Sequence, residues 1–158
     1  MRLLFALLIL LTPALACGKV PWSLYEKTVR TAQAFGLPPH LLVAVVWVES
    51  RFCPQAVSPK GAVGLGQVMP DTARAMGIHP ARLTNADWNL YASAKYLRGQ
   101  YLRFRDWRKA LYAYNAGPGR ANNPPAISVQ YANDVLSLYT RMEQSPAYRQ
   151  SLRRIIGR

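Results

Sequence analysis

Residues 49–70 read ESRFCPQAVSPKGAVGLGQVMP, and this stretch joins a single acid to a glycine-rich loop. Glu49 ends an apolar run, residues 40–48, that contains no other acid. If the run is a helix, burial beside it and the negative end of the helix dipole both raise the pKa of the Glu49 carboxyl. A carboxyl that holds its proton near neutral pH can serve as a general acid. The plainer alternative is that a lone glutamate at a helix end is a solvated surface residue.

The second half of the stretch predicts a loop that approaches a ligand. Gly64 and Gly66 have no Cβ, so the backbone there can come close to a bound molecule. Gln67 is a polar amide among apolar neighbours and offers hydrogen bonds to such a ligand. Residues 57–68 also allow a small β-hairpin, and no other segment has a convincing strand pattern.

The rest of the chain predicts helices. Pro38 and Pro39 suit the first turn of the helix that carries the apolar run. This helix is apolar nearly all round, so we expect it at the centre of the core. Ser23 and Glu26 have the spacing of a capping box at the start of the first helix, residues 23–35. Further helices are expected at 71–76, from 84 or 85 to about 105, at 107–116 and at 128–142, and most aromatic residues of the 84–105 helix are assigned to the core.

Three motifs occur in order along the chain: Glu49-Ser50, then GLGQVMP at 64–70, then AYNAG at 113–117. Together they resemble the soluble lytic transglycosylases, the lysozyme-like enzymes that cleave peptidoglycan glycan strands. The resemblance extends from about residue 37 to about residue 131, and residues 87–89 match the family helix that packs beneath the cleft. It implies a mainly α, goose-type lysozyme-like single domain, in which several helices surround a central buried helix.

The resemblance also implies a reaction. In that family one glutamate, here Glu49, protonates the leaving oxygen between N-acetylmuramic acid and N-acetylglucosamine. It then takes the proton of the C6 hydroxyl, which closes a 1,6-anhydro ring. Ordinary glycoside hydrolysis uses two carboxyl groups, and none of the acids after Glu49 lies in a motif typical of a nucleophile. A hydrolytic lysozyme on the same fold, or a non-catalytic glycan-binding accessory protein of a secretion system, is the alternative.

Residues of the first two motifs receive roles by resemblance. Ser50 would orient the Glu49 carboxylate or bind the sugar. Gln67 and the backbone at Gly66 would hydrogen-bond the N-acetyl groups of the glycan. The family usually has methionine in place of Gly66, so the smaller residue is expected to loosen the wall of the glycan site.

The later residues are assigned in the same way. Tyr114 would set the environment of Glu49, and Asn115 would orient the sugar or cap the helix end. Tyr131 matches the family's late tyrosine, which approaches the catalytic glutamate. The family often has Glu-Thr before this tyrosine, whereas this chain has Ile127-Ser128.

The first 16 residues resemble a secretory signal peptide. Arg2 precedes an apolar run at residues 3–11, and Ala14-Leu15-Ala16 is a small-x-small cleavage site. The run is too short to span a bilayer as a helix, and no other segment suits a membrane span. The sequence therefore predicts export to the periplasm. A lipoprotein with lipid on Cys17 is the less favoured alternative, because residues 14–16 fit a lipobox poorly.

The two cysteines, Cys17 and Cys53, are candidates for a disulfide in an oxidising compartment. Such a bond would tie the N-terminal arm to the segment just after Glu49. The alternative is a free Cys53 beside a lipidated or disordered Cys17. His40 and His79 stand apart from the cysteines in the sequence, so no metal site and no cofactor are expected.

The net charge of +13 favours anionic partners. No nucleic-acid-binding motif is present, and an exported protein fits peptidoglycan better. Resemblance to the small specialised members of the family implies a secretion or conjugation apparatus as a further partner, and we expect a monomer. Residues 17–145 are expected to form the lysozyme-like domain, and 146–158 a basic C-terminal tail carrying Arg149, Arg153, Arg154 and Arg158.

Overall fold

The computed structural model describes residue 17 and residues 19–157, and the expected signal peptide at residues 1–16 lies outside this part. The described chain is helical, with seven α-helices and two short 3-10 helices at Pro80–Thr84 and Pro118–Arg120. The α-helices are α1 (Trp22–Ala34), α2 (Pro39–Ser50), α3 (Pro70–Ala75), α4 (Ala86–Phe104), α5 (Trp107–Ala116), α6 (Ala126–Gln144) and α7 (Pro146–Ile156).

Helix α2 lies at the centre of the fold, as the sequence predicts. Every residue from His40 to Val46 is buried, because the helix packs against α1 on one side and α6 on another. Pro39 occupies its first turn, where the missing N–H costs no hydrogen bond. Glu49 falls in its last turn, so the central helix delivers the candidate acid from the core to the edge of a loop.

The loop between α2 and α3 contains the small amount of β-structure that the sequence allows. Val63 forms isolated antiparallel bridges with Val57 and with Val68, and no longer ladder forms within the described residues. Short bridges of this kind fold the loop back on itself, which places Gly64, Leu65 and Gly66 in a buried turn.

The start of α1 differs from the prediction. The helix begins at Trp22 with Pro21 at the cap position, so Ser23 already lies inside the helix and makes no capping hydrogen bond. The carboxylate of Glu26 accepts hydrogen bonds from Arg30, one turn later, instead of reaching back to a cap. The predicted capping box is therefore wrong, because the proline sets the helix start one residue earlier.

The segment expected as a basic tail carries helix α7. This helix contacts α1 and α6, and its Ile155 is fully buried in a cluster with Tyr25 and Met142. Arg149, Arg153 and Arg154 lie on its exposed surface. The cations are thus presented by a packed helix, and Arg158 lies outside the described residues.

The structure joins Cys17 to Cys53 by a disulfide, with the two Cα atoms 5.2 Å apart. Cys53 follows α2 directly, so the bond fastens the segment before α1 beside the end of the helix that carries Glu49. Cross-linking residues separated by 36 positions restricts the unfolded chain and stabilises the fold.

We expect protein made in an oxidising compartment to have no titratable thiol until it is reduced, and two afterwards. Reduction should lower the melting temperature without changing the helical circular dichroism spectrum at low temperature. The double variant Cys17→Ser/Cys53→Ser should reproduce the lower melting temperature and no longer respond to reductant. Two free thiols in unreduced protein, or a lipid mass on Cys17, would contradict the pairing.

Candidate active site

Glu49 occupies a water-poor position at the C-terminal end of α2. Burial raises the pKa of its carboxyl to about 7, and contact with Tyr131 offsets part of that rise. No neighbouring acid contributes to the raised pKa, so loss of hydration is its cause. Near neutral pH the group is therefore divided between its protonated and ionised forms, so it can both donate and accept a proton.

Two tyrosine hydroxyls lie near this carboxyl. Burial raises the pKa of Tyr114 and of Tyr131, and the charge on Glu49 raises both further, so both hydroxyls remain protonated at neutral pH. The Tyr131 hydroxyl faces Glu49 but falls short of regular hydrogen-bond geometry, so it has no fully formed hydrogen bond to any described residue. It is thus a donor positioned to tighten onto the carboxylate when Glu49 loses its proton.

Left-handed backbone conformations concentrate around the end of α2 and its loop. Arg51 and Phe52 both have positive φ angles, 52° and 61°, and Gln67 has a φ of 49°. This region is disfavoured for residues other than glycine, and such strain tends to collect at functional sites. Among the described non-glycine residues only Arg105, at the end of α4, shares it. The turn at Arg51 and Phe52 sends the chain sharply away from Glu49 into the loop.

The loop is held in place by α4. The side chain of Asn89 donates to the carbonyls of Val63 and Leu83, each at 2.8 Å, and accepts from the Gly66 amide at 2.8 Å. Ser93, one turn later, lies against the same loop. These bonds satisfy two backbone groups of the loop and the Leu83 carbonyl, so Asn89 sets the position of the loop relative to α4.

The expectation that Gly66 loosens the site wall is wrong. A Cβ at this position would lie 2.0 Å from Ser93 Oγ and 2.8 Å from both Ser93 Cβ and the Tyr114 hydroxyl. The Tyr114 hydroxyl donates to the Gly66 carbonyl at 2.8 Å. The absent side chain therefore lets the loop come closer to α4 and α5, and the wall at Gly66 is tightly packed.

We expect Gly66→Ala to cost about 1–3 kcal/mol of stability, the usual range for overpacking a buried position. Turnover should also fall, because the loop must move away from Tyr114. Ser93→Gly removes both Ser93 atoms that the new Cβ would meet, so in a double-mutant cycle it should recover part of the loss. Gly99→Ala is the matched control, since a Cβ there meets nothing within 4 Å. Equal stability of Gly66→Ala and Gly99→Ala proteins would contradict the close packing.

Ser50 and Gln67 are engaged with the loop backbone. The Ser50 hydroxyl donates to the Leu65 carbonyl at 2.7 Å and accepts from the Cys53 amide at 3.1 Å. The Gln67 side-chain nitrogen donates to the carbonyls of Ala56 and Gly64, at 3.2 and 3.0 Å. These bonds use the side-chain nitrogen of Gln67 and leave its side-chain oxygen Oε1 for a ligand. The Ser50 hydroxyl mainly holds the loop against α2.

A cleft of about 620 Å³ lies between this loop, α3, α4, α5 and the start of α6. Asn115 lines the cleft, and its side-chain oxygen Oδ1 accepts from the buried Ser128 hydroxyl at 2.7 Å, which ties the end of α5 to α6. Glu49 is not among the lining residues but adjoins the cleft through Tyr114. The lining carries two cations and no acid: Lys60, Gln67, Val68, Met69, Thr72, Tyr96, Tyr114, Asn115, Ala116, Gly117, Arg120, Pro125, Ile127 and Ser128.

The other acids of the described chain are engaged elsewhere. Glu26, Asp71 and Asp87 form surface ion pairs with Arg30, Arg74 and Lys27 respectively. The Asp106 carboxylate caps α5, that of Asp134 accepts from Gln130, and that of Glu143 bonds the buried His40 ring. Within residues 19–157, no three histidine, cysteine or acidic side chains cluster as metal ligands would.

The structure therefore places the candidate residues in one region. Tyr114 and Tyr131 lie beside the Glu49 carboxyl, Gln67 and Asn115 line the adjoining cleft, and Gly66 is bonded to Tyr114 behind the cleft wall. Sequence reasoning missed Ser93 and Ser128, and it gave Asn89 no role at the loop. A polar residue on the buried face of a helix is the signal that could have found Asn89 and Ser93, since such a residue needs a partner.

A lysozyme-like helical fold with one half-buried glutamate beside a cleft defines the class to which this chain belongs. The family model of the transglycosylase SLT domain matches residues 28–137. The chain belongs to the transglycosylase SLT domain family, as the three sequence motifs predict.

Individual relatives agree with this assignment. A transglycosylase of Enterobacteria phage PRD1 is 39% identical over 108 residues, which are 66% of this chain and 38% of that protein. The membrane-bound lytic murein transglycosylase F of Alcanivorax borkumensis is 38% identical over 114 residues, 66% of this chain and 24% of the relative. An inactive mutant of the lytic transglycosylase Slt from Pseudomonas aeruginosa superposes with a TM-score of 0.71 at 30% identity, covering 81% of this chain and 25% of that one.

The chain thus spans less than two fifths of the length of these relatives. None of the helices in the described part is both long enough and apolar enough to cross a membrane.

Proposed function

We propose that this protein is a peptidoglycan lytic transglycosylase that cleaves the β-1,4 bond between N-acetylmuramic acid and N-acetylglucosamine, with Glu49 as its single acid and base. The observation that carries the proposal is the isolation of Glu49. Its pKa is raised by burial alone, and every other acid of the described chain is committed to another partner.

A two-carboxylate mechanism needs a second acid at close range. In retaining enzymes the two carboxyls lie roughly 5 Å apart, and in inverting enzymes roughly 6.5–9.5 Å apart. A carboxylate at the shorter separation would raise the Glu49 pKa through charge repulsion, and no acid does so here. This favours a reaction in which the substrate supplies its own nucleophile.

The proposed steps balance without water. The protonated Glu49 carboxyl gives its proton to the glycosidic oxygen as the bond from that oxygen to C1 of the muramoyl residue breaks. The C6 hydroxyl oxygen of the same residue then bonds to C1, and its proton returns to Glu49. The products are a strand with a free 4-hydroxyl and a strand ending in a 1,6-anhydro ring.

The neighbouring groups suit both halves of the cycle. Burial favours the protonated form of Glu49 before bond cleavage, and the Tyr131 hydroxyl stabilises the carboxylate that cleavage leaves behind. Tyr114 holds the loop carbonyl at Gly66, so the cleft wall keeps its position. Gln67 and Asn115 would bind the glycan through the amide groups that line the cleft.

Comparison with a known enzyme supports the use of one glutamate. A glutamate-to-glutamine substitution is the change in the inactive mutant of the Pseudomonas enzyme. For this chain we further propose export by the N-terminal signal, action in the periplasm as a monomer, and work beside a secretion or conjugation apparatus. These proposals rest on residues 1–16 and on the resemblance to small specialised family members.

Product analysis tests the reaction. Purified sacculi digested with the protein should release fragments that end in 1,6-anhydro-N-acetylmuramic acid, which are lighter by one water than the reducing-end products of a lysozyme. Mass spectrometry separates the two directly. Reducing ends as the main product would establish the hydrolytic alternative, and no released fragments would favour the non-catalytic one.

A further inference from the structure

The outer face of α4 carries a straight row of large side chains. Trp88, Tyr91, Lys95, Arg98 and Leu102 follow one another at spacings of three, four, three and four residues. An average spacing of 3.5 residues keeps a row nearly parallel to the helix axis. At 1.5 Å per residue, the row is about 21 Å long. Trp88 and Tyr91 are both 38% exposed and Leu102 is 45% exposed, although aromatic residues of this helix were expected mainly in the core.

The row lies apart from the catalytic cleft. The opposite face of α4 carries Asn89 and Ser93, which are buried against the loop at Gly66. No residue of the row lines the cleft. A ligand on the row would therefore bind a second surface, joined to the site wall by a single rigid helix.

Cations fix the exposed aromatic rings in place. The Arg82 guanidinium lies 4.2 Å from the centre of the Trp88 ring, and the Lys95 ammonium lies 5.6 Å from the centre of the Tyr91 ring. The two rings meet edge to face at 6.0 Å, and Phe35 packs edge-on against Tyr91 at 5.2 Å. Such contacts hold the rings in one orientation before any ligand arrives.

The surface is positive without a local counter-charge. Arg82, Lys95 and Arg98 form no ion pair in the part of the chain that the structure describes. The nearest acid on the same helix, Asp87, is paired with Lys27. Lys95 also donates to the Met76 carbonyl, which positions its charge beside the row.

We propose that this surface, formed by Arg82, Trp88, Tyr91, Lys95 and Arg98 and called here the α4 strip, binds a stretch of peptidoglycan strand that lies outside the cleft. The faces of the sugar rings present C–H bonds, which pack against the electron-rich faces of aromatic rings. The cations Arg82, Lys95 and Arg98 form charge-assisted hydrogen bonds with the carboxylates of the stem peptides. The inference rests on the proposed function, because that function supplies a polymer longer than the cleft.

Two other occupants fit the strip less well. Self-association of two copies through this row would bring two positively charged surfaces together, and like charges oppose such pairing. A bilayer surface would favour a broad aliphatic patch, whereas Leu102 is the one aliphatic side chain of the row. A narrow line of rings and cations matches a narrow anionic polymer.

Indole signals provide the first test, because the chain has four tryptophans. In the Glu49→Gln protein, labelled with nitrogen-15, stem-bearing glycan fragments should shift the Trp88 indole N–H signal saturably. Uncharged chitotetraose should shift it less. The Trp22 indole, 50% exposed beside α7, is the internal control and should not move. A Trp88 signal that stays fixed would overturn the proposal, and equal shifts with both ligands would overturn the role of the cations.

Binding to insoluble sacculi provides the second test. In the Glu49→Gln background, Trp88→Ala and Lys95→Gln/Arg98→Gln should each weaken binding about fivefold, equivalent to about 1 kcal/mol. The matched controls, Trp22→Ala and Arg103→Gln/Lys109→Gln, should change it by less than about twofold. When the same strip substitutions are made in the active protein, which keeps Glu49, the variants should cleave short soluble fragments at the wild-type rate. Equal effects of strip and control variants would overturn the proposal.

The remaining outcomes separate the other occupants and the proposed function. If sedimentation velocity shows a dimer and Trp88→Ala makes it monomeric, the strip is an interface between two copies and the proposal is overturned. A Trp88 shift with vesicles of anionic phospholipid equal to that with glycan would also overturn it. The strip is measured by binding alone, so a protein that binds glycan at Trp88 but releases no anhydro product would contradict only the proposed function.

Discussion

Glu49→Gln should reduce turnover of sacculi by about 10²–10⁴-fold, the usual contribution of general acid–base catalysis. The amide has nearly the shape of the carboxyl but cannot give a proton to the glycosidic oxygen or take one from the C6 hydroxyl. Near pH 7 the carboxyl is present in both its protonated and its ionised form, so this one group can perform both steps. Release of anhydro fragments, followed by mass spectrometry, measures the effect.

Two further variants give this experiment its controls. Glu26→Gln removes a carboxyl from a surface ion pair on α1 and should leave turnover unchanged. Glu49→Asp keeps the acid but withdraws it by one methylene, so it should retain more activity than Glu49→Gln while remaining well below the wild type. Helical circular dichroism should be the same for all three. If Glu49→Gln keeps more than about a tenth of the activity, the acid has another source, since general acid–base catalysis alone contributes more than this.

The position of Glu49 could be predicted because its causes are local. An apolar run with prolines at its start and one acid at its end predicts a buried helix and a desolvated carboxyl, and both are present. Glycines 64 and 66 were predicted to let the backbone approach a ligand, whereas in the structure their missing Cβ atoms let it approach Asn89 and Ser93 of α4. The partner of that approach could not be predicted, because Ser93 lies 27 positions further along the chain on another helix.

Other details depend on contacts that residue type alone does not determine. The hydrogen bond between Ser128 and Asn115 exists because α6 packs across the end of α5. Whether Trp88 and Tyr91 are buried depends on the orientation of α4, and that orientation is fixed by Asn89 on its opposite face. Hydrophobicity predicts a core position for the two rings, and tertiary packing leaves them at the surface.

Glu49 should also make the stability of the fold depend on pH. Its pKa is about 7 in the folded protein against a usual value of 4.5, so between these values the folded state holds a proton that the unfolded state has lost. Stability then falls as pH rises through this window. A difference of about 2.5 pKa units corresponds to roughly 3 kcal/mol. This contribution is fully present below about pH 4.5 and is lost above about pH 7.

Glu49→Gln removes this dependence, because the amide does not ionise. Relative to the wild type, the variant should therefore gain roughly 3 kcal/mol in free energy of unfolding between about pH 4 and pH 8. Urea unfolding of both proteins in the same buffers gives the difference at each pH, and titrations common to both proteins cancel. Glu26→Gln is the control, because it shows how removal of a carboxyl from a surface ion pair changes the free energy of unfolding at each pH. A difference between Glu49→Gln and wild type that stays constant across this range would show that burial does not raise the Glu49 pKa, and the single-acid mechanism would lose its physical basis.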